Sequence, residues 1–275
     1  MSDRIPKIIG SSINLLSHFS PRLAAKLSIE IFSRPLKGRV TKEQAVFLDQ
    51  ADQKVIYCEK TPVMTYHWTG KNDTILLAHG WESNSSRWEE LINALNALNY
   101  NVIALDAPAH GRSGSPVFNA LLYSDFIDAV SQQFRPQIII GHSVGGMATA
   151  FKYSENQYDH LKKLVLLGAP AHFEGVFNRY VDLMGYNKRV ETKIHNMVYE
   201  RFGNWPSYYS IAELSKNFKI PGLIIHDKND KIIPYEDALL IASKYKNSEL
   251  VTTKNSGHGL KNKDIYNTVL EFIKA

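Results

Sequence analysis

Apolar residues in this chain recur with two different periods. Ile5, Ile8, Ile9, Ile13, Leu16 and Phe19 return every three to four positions, which predicts an amphipathic helix. Ser20-Pro21 then offers a capping serine and a favoured first-turn proline. Leu23, Leu27 and Ile31 form a second stripe, and Arg34-Pro35 ends it. From Val46 to Thr69 the period shortens to two, with Val55, Tyr57, Val63, Thr65 and His67 alternating as in a meander of antiparallel strands.

Beyond Thr69 the chain settles into short apolar runs at 74–78, 101–105, 137–140, 161–167, 220–225 and 249–252. Helical patterns separate them at 87–98, 121–134, 144–153, 235–245 and 264–274. Continuous Val/Ile/Leu strands alternating with helices predict an α/β fold, with a mostly parallel central sheet covered by helices on both faces. Reactive groups then belong at the carboxyl tips of the strands. About fifty residues separate Gly168 from Ile220, too many for a plain connection, and they predict a small helical cap. The expected division is an N-terminal helical extension (1–42), a core (43–170 and 216–275) and a cap insertion (171–215).

Composition changes this picture little. With 275 residues and 44% apolar content, the chain can bury a large core in one main domain. Cys58 is the lone cysteine, so no intramolecular disulfide forms, and a buried, inert thiol is expected. The net charge of +5 is concentrated: eight Lys or Arg against Asp3 and Glu30 give +6 up to Lys42, leaving the rest about neutral. The body therefore lacks the basic footprint that nucleic acid requires. For residues 1–38 two readings stand, packing against the main domain or a basic amphipathic segment that touches anionic membrane or covers the mouth of the site. No apolar run reaches eighteen residues, and Gly10, Ser11, Ser12 and Asn14 interrupt any signal-peptide core, so a cytoplasmic protein is expected.

The chemistry concentrates at Gly141-His142-Ser143-Val144-Gly145-Gly146, where a strand runs straight into a helix rich in small residues. A sharp strand-to-helix turn leaves no room for side chains two positions either side of the serine, and it thrusts the hydroxyl outward. Serine is a poor nucleophile at neutral pH; it needs a base, and the base needs an orienting acid. In this arrangement the chain resembles the α/β-hydrolases, whose order is serine, acid, histidine.

That resemblance implies the remaining parts. His226-Asp227-Lys228-Asn229-Asp230 is similar to the family's acid loop, whose aspartate stands four residues before a proline; Pro234 selects Asp230 and leaves Asp227 as the rival for geometry to judge. Asn255-Ser256-Gly257-His258-Gly259 occupies the place of the family's general base, so His258 is the expected partner of Ser143, with His110, His160, His172 and His195 read as surface or loop residues. His79-Gly80-Trp81 resembles the His-Gly-X element whose X amide, together with that of the residue after the nucleophile, forms the oxyanion hole. Those donors are Trp81 and Val144, and the Trp81 indole is a candidate for lining the pocket. Asp106-Ala-Pro-Ala-His-Gly-Arg-Ser-Gly114 looks like the family's Asp-x-x-Gly-His-Gly-x-Ser loop with Ala109 in place of the first glycine, and its expected job is structural.

The resemblance implies a serine hydrolase acting on a small-molecule carboxylic ester or thioester through an acyl-enzyme. The same apparatus also serves carbon–carbon bond hydrolysis and acyl transfer, and the fold can outlive its chemistry in a binding protein. Ser143 at the elbow excludes the aspartate-dependent epoxide and halide chemistries. No metal and no cofactor is expected, because ligand spacing and a dinucleotide fingerprint are both missing. Nine of the thirty-nine residues from His172 to Ser210 are aromatic, too many for a small cap to bury by itself, so an apolar acyl or aromatic group is expected beneath it.

Overall fold

Residues 4–275 are described by the structure, a computed structural model. The N-terminal extension accordingly begins here at Arg4, and Met1 to Asp3 lie outside the described residues. In chain order the elements open with α1 (Arg4–Phe19), α2 (Pro21–Ser33), α3 (Lys42–Leu48), β1 (Asp52–Cys58), β2 (Thr61–Trp68) and β3 (Asn72–Ala78). There follow α4 (Glu89–Ala97), β4 (Tyr100–Leu105), α5 (Ala120–Phe134), β5 (Ile138–His142), α6 (Val144–Asn156) and β6 (Lys163–Leu167). The remainder is α7 (Phe173–Met184), α8 (Lys188–Phe202), α9 (Ile211–Leu214), β7 (Gly222–Asp227), α10 (Tyr235–Lys244), β8 (Ser248–Thr253) and α11 (Lys263–Lys274).

The eight strands form one sheet in the order β1-β2-β4-β3-β5-β6-β7-β8. β2 runs antiparallel to both its neighbours, β1 and β4, and the pairings among β3 to β8 are parallel. Ile75, Leu77, Ile139, Ile140, Val165, Leu166, Ile224 and Ile225 are buried, as strands covered on both faces require. The register pairs Ala78 with Gly141, Gly141 with Leu166 and Leu167 with Ile225, so the carboxyl ends of β3, β5, β6 and β7 lie level. The loops leaving those ends carry the candidate site.

One element differs from its sequence pattern. The alternation expected from Val46 begins only at β1, because α3 occupies Lys42–Leu48. Thr41 Oγ1 accepts from the Gln44 amide and Gln44 Oε1 accepts from the Thr41 amide, a reciprocal box that nucleates the helix before alternation can assert itself.

The chain divides into two compact units where three stretches were expected. The described residues of Met1–Arg34 group with His172–Ser210, and Pro35–Ala171 with Ile211–Ala275 carry the sheet. Within the first unit, Ile13, Ala24, Ala25, Phe177, Val181, Met184, Val190 and Ile194 share one core. Phe32 of α2 packs against Phe173, Phe177 and Tyr180 at centroid distances of 6.3, 6.5 and 4.6 Å. The aromatic surplus of the cap is thus partly absorbed by the N-terminal helices. Residues 35–42 instead belong with the sheet, where the Gly111 amide donates to the Gly38 carbonyl and Arg39 donates to the carbonyls of Gly111 and Ser113. Among the described residues no helix is long and apolar enough to cross a membrane.

Candidate active site

Ser143 stands between β5 and α6 with φ 53° and ψ −125°, a conformation that costs a non-glycine residue about 1–3 kcal/mol. The surroundings hold it there. Its amide donates to the Leu167 carbonyl at 2.8 Å, and α6 crosses the end of β3 so closely that a Cβ on Gly145 would lie 2.4 Å from the Ala78 oxygen. Glycine is required at that crossing by space alone. The strain turns the serine away from both elements and toward the loop after β8.

His258 comes from that loop. Its Nε2 lies 3.0 Å from Ser143 Oγ, and its Nδ1 lies 2.7 Å from Asp230 Oδ2. The structure thus brings Ser143, His258 and Asp230 into one hydrogen-bonded line. Asp230 sits in the loop after β7, where its Oδ1 accepts from the amides of Ile232 and Ile233 at 2.8 and 3.0 Å. Burial pushes the Asp230 carboxyl up, but hydrogen bonds from His226, His258 and those two amides outweigh it and hold the group well below the usual carboxylate range. An ionised Asp230 can only accept, so His258 Nδ1 carries the proton and Nε2 is free to accept from the serine hydroxyl.

The rival, Asp227, is occupied elsewhere. It accepts from the Asn229 and Ser256 amides and from Thr253 Oγ1, all within 2.8 Å, and so ties the β7 and β8 loops together. Its carboxyl is also held low, since hydrogen bonds from Ser256, Thr253 and Asn229 outweigh the upward push of burial.

Several further residues hold this line, and sequence reasoning did not single them out. His142 Nε2 lies 2.8 Å from the His258 carbonyl. Burial, the Arg87 charge and His258 press its pKa well below 6.5, so the ring is neutral and its single proton sits on Nε2. Arg87, buried, donates Nη2 to the next carbonyl, that of Gly259, at 2.8 Å. Burial pushes its guanidinium down to about 10. Two consecutive carbonyls of the histidine loop are therefore pinned by two buried side chains. His226 Nε2 donates to the Ile233 carbonyl at 3.0 Å and lies 3.4 Å from Asp230 Oδ2, a second histidine on the same carboxylate. Adjacency to the elbow and to the acid loop was the available signal for His142 and His226; for Arg87 the sequence offers none.

The loop after β3 carries Trp81. His79 is buried, accepts from the Ala107 amide at Nε2 and donates from Nδ1 to the Gly80 carbonyl at 2.7 Å. His110, read as a surface or loop residue, lies in the loop after β4 and is fully buried. Its Nε2 accepts from the Glu82 amide at 3.0 Å and its Nδ1 donates to the Pro108 carbonyl, so it braces the same loop from the other side. Between these two braces the Trp81 amide donates to no protein acceptor among the described residues, and neither does the Val144 amide at the first turn of α6. The Trp81 indole packs edge-on against His110 and Phe118, at 5.2 and 5.1 Å.

Asp106 underlies that scaffold. Its carboxylate accepts from the Ser85 amide and hydroxyl, from Tyr66 Oη and from the Arg112 amide, all at 2.8–2.9 Å. Ala109, standing where a glycine was the pattern, adopts a left-handed φ of 63°.

Serine, histidine and carboxylate in this line can remove the hydroxyl proton as a carbonyl is attacked, and two free amides lie in the loops beside them. Comparison with known proteins agrees with the architecture. Residues 73–192 match a family model described as alpha/beta hydrolase fold, and residues 198–275 match one described as TAP-like protein. The chain is 27% identical over 233 residues to the AB hydrolase superfamily protein YisY of Bacillus subtilis, covering 69% of this chain and 86% of that protein. It is 23% identical over 239 residues to the non-heme chloroperoxidase CPO-A1 of Kitasatospora aureofaciens, covering 70% and 86%. Among solved structures, Est1E of Butyrivibrio proteoclasticus with ferulic acid bound superposes with a TM-score of 0.65 at 18% identity, over 81% of this chain and all of that one.

Proposed function

The chain belongs to the α/β-hydrolase superfamily and is a hydrolase, and on that premise we propose that it cleaves a carboxylic ester or thioester through a serine acyl-enzyme. The observation that carries this reading is the His258 ring, 3.0 Å from Ser143 Oγ on one side and 2.7 Å from Asp230 Oδ2 on the other. Ser143 attacks the carbonyl carbon while His258 Nε2 takes its proton. Asp230 holds the resulting imidazolium through Nδ1. The oxyanion forms against the amides of Val144 and Trp81, each such donor lowering the barrier by about 3 kcal/mol. His258 then returns the proton to the departing alcohol or thiol, and water, activated by the same ring, releases the acid.

The substrate in this reading is a small molecule with an apolar acyl or aromatic group. A fluorophosphonate probe tests the chemistry: labelling of the native protein and none of Ser143→Ala is expected. Failure of the native protein to label would make it a binding module of hydrolase shape. Esters of rising acyl length test the preference, and activity that falls beyond acetate contradicts it.

A further inference from the structure

The two N-terminal helices pack on α7 and α8 largely through small residues and leave a second, apolar face exposed. On α1 the residues turned toward the neighbouring helices are Gly10, Ile13 and Ser17, and a Cβ on Gly10 would lie 1.7 Å from the Met184 carbonyl oxygen at the end of α7. On α2 they are Ala24, Ala25 and Ser28. Small residues thus form much of the seam, with Ile13, Leu16, Ile29 and Phe32 beside them. Large apolar side chains point away: Ile5, Ile8, Leu15 and Phe19 are each at least 60% exposed, and Leu23, Leu27 and Ile31 follow on α2 at 36–45%. Spacings of three, four and seven place each set on one continuous arc of its helix. An apolar face of this kind marks an interaction surface.

Charge decides what covers it. Between Arg4 and Ile31 the exposed cations are Arg4, Lys7, Arg22 and Lys26, against one carboxylate in the same stretch, Glu30, and one from α8, Glu200, which lies 3.6 Å from Arg22. A second copy of this face would bring like charge against like charge, whereas an anionic surface complements it. Neither helix can span a bilayer: α1, with sixteen residues, is about 24 Å long against a core of about 30 Å. We propose that α1 and α2 form a peripheral docking face for anionic phospholipid membrane. The aliphatic arcs settle at the boundary between headgroups and acyl chains, and the Lys and Arg side chains meet the lipid phosphates. This inference stands independently of the esterase reading.

Co-sedimentation of the full chain with vesicles tests it. The native protein is expected to pellet with vesicles of equal parts phosphatidylcholine and phosphatidylglycerol, to remain in solution with phosphatidylcholine alone, and to be released by added salt. Lys7→Gln with Lys26→Gln is expected to weaken binding about thirtyfold, since each cation near an anionic surface contributes on the order of fivefold. Ile8→Asn with Leu15→Asn is expected to abolish binding at an unchanged melting temperature, because both side chains are exposed in the folded protein. Failure of the native protein to pellet with the anionic vesicles overturns the proposal. So does a vesicle-free dimer that Ile8→Asn with Leu15→Asn converts to monomer, which would make the face a subunit interface.

Discussion

His142 Nε2 donates to the backbone carbonyl of His258 across 2.8 Å, so the residue before the elbow serine fixes the main chain of the histidine that faces that serine. His142→Phe keeps the ring volume and removes the donor. It leaves the His258 carbonyl without a partner, at a cost of about 1–3 kcal/mol. On any ester the native protein turns over, kcat is expected to fall about ten- to a hundredfold with KM little changed, and His142→Gln to recover part of the loss. Equal kcat for native and His142→Phe protein would show the bond to be idle.

Gly80 tests the same ring from the opposite side. A Cβ there would lie 2.7 Å from His142 Nδ1 and 3.0 Å from Ser143 Cβ, and neither group has slack. Overpacking of this kind costs about 1–3 kcal/mol. Gly80→Ala is expected to lower kcat by an order of magnitude or more while the far-ultraviolet circular dichroism stays native. A fully active Gly80→Ala would mean the loop after β3 yields freely.

Asp230 and His226 make stability depend on pH in opposite directions. Asp230 lies well below its unfolded value of about 3.9, so its contribution is complete above about pH 4 and is lost as pH falls below that. For His226, burial lowers the pKa, but bonds to Asp230 and Ile233 outweigh it, and the group sits above 6.5. Its contribution is complete below about pH 6.5 and is lost as pH rises through the folded value. Asp230→Asn removes the shared carboxylate. Urea midpoints measured from acid to mildly alkaline pH are expected to follow a flatter curve in that variant, on both flanks. A variant curve parallel to the native one would contradict the assignment.

Asp106 anchors four donors from three segments of chain. Asp106→Asn turns an amide nitrogen toward some of them and is expected to destabilise the protein by at least about 3 kcal/mol. Urea denaturation reads this directly. Ser113→Ala, which removes a hydroxyl that accepts from the Met64 amide and donates to the Asp106 carbonyl, is expected to cost less.

Much of this was legible because the relevant physics is local. The parallel strands announce themselves as continuous Val/Ile/Leu runs, and the elbow announces itself as glycines around a serine, since both patterns follow from immediate backbone sterics. Asp230 and His258 were placed by chain order within a familiar scheme. His110 and Arg87 were not legible, because their roles lie in partners 28 and 172 residues away, and nothing in either neighbourhood records those distances. The helix at Lys42–Leu48 was missed for the opposite reason: a single capping box decided it, while alternation downstream gave the louder signal. The grouping of α1 and α2 with α7 and α8 was hidden because helical periodicity shows that an apolar stripe exists but not which distant segment packs on it.

Ser143 and His258 stand 115 residues apart, on loops after β5 and β8. A chain emerging from the ribosome therefore carries its elbow serine long before the imidazole that faces it has been synthesised. The hydrogen-bonded line through Ser143, His258 and Asp230 therefore closes only once the last strand of the sheet has docked, which makes the site one of the latest features of the fold to form.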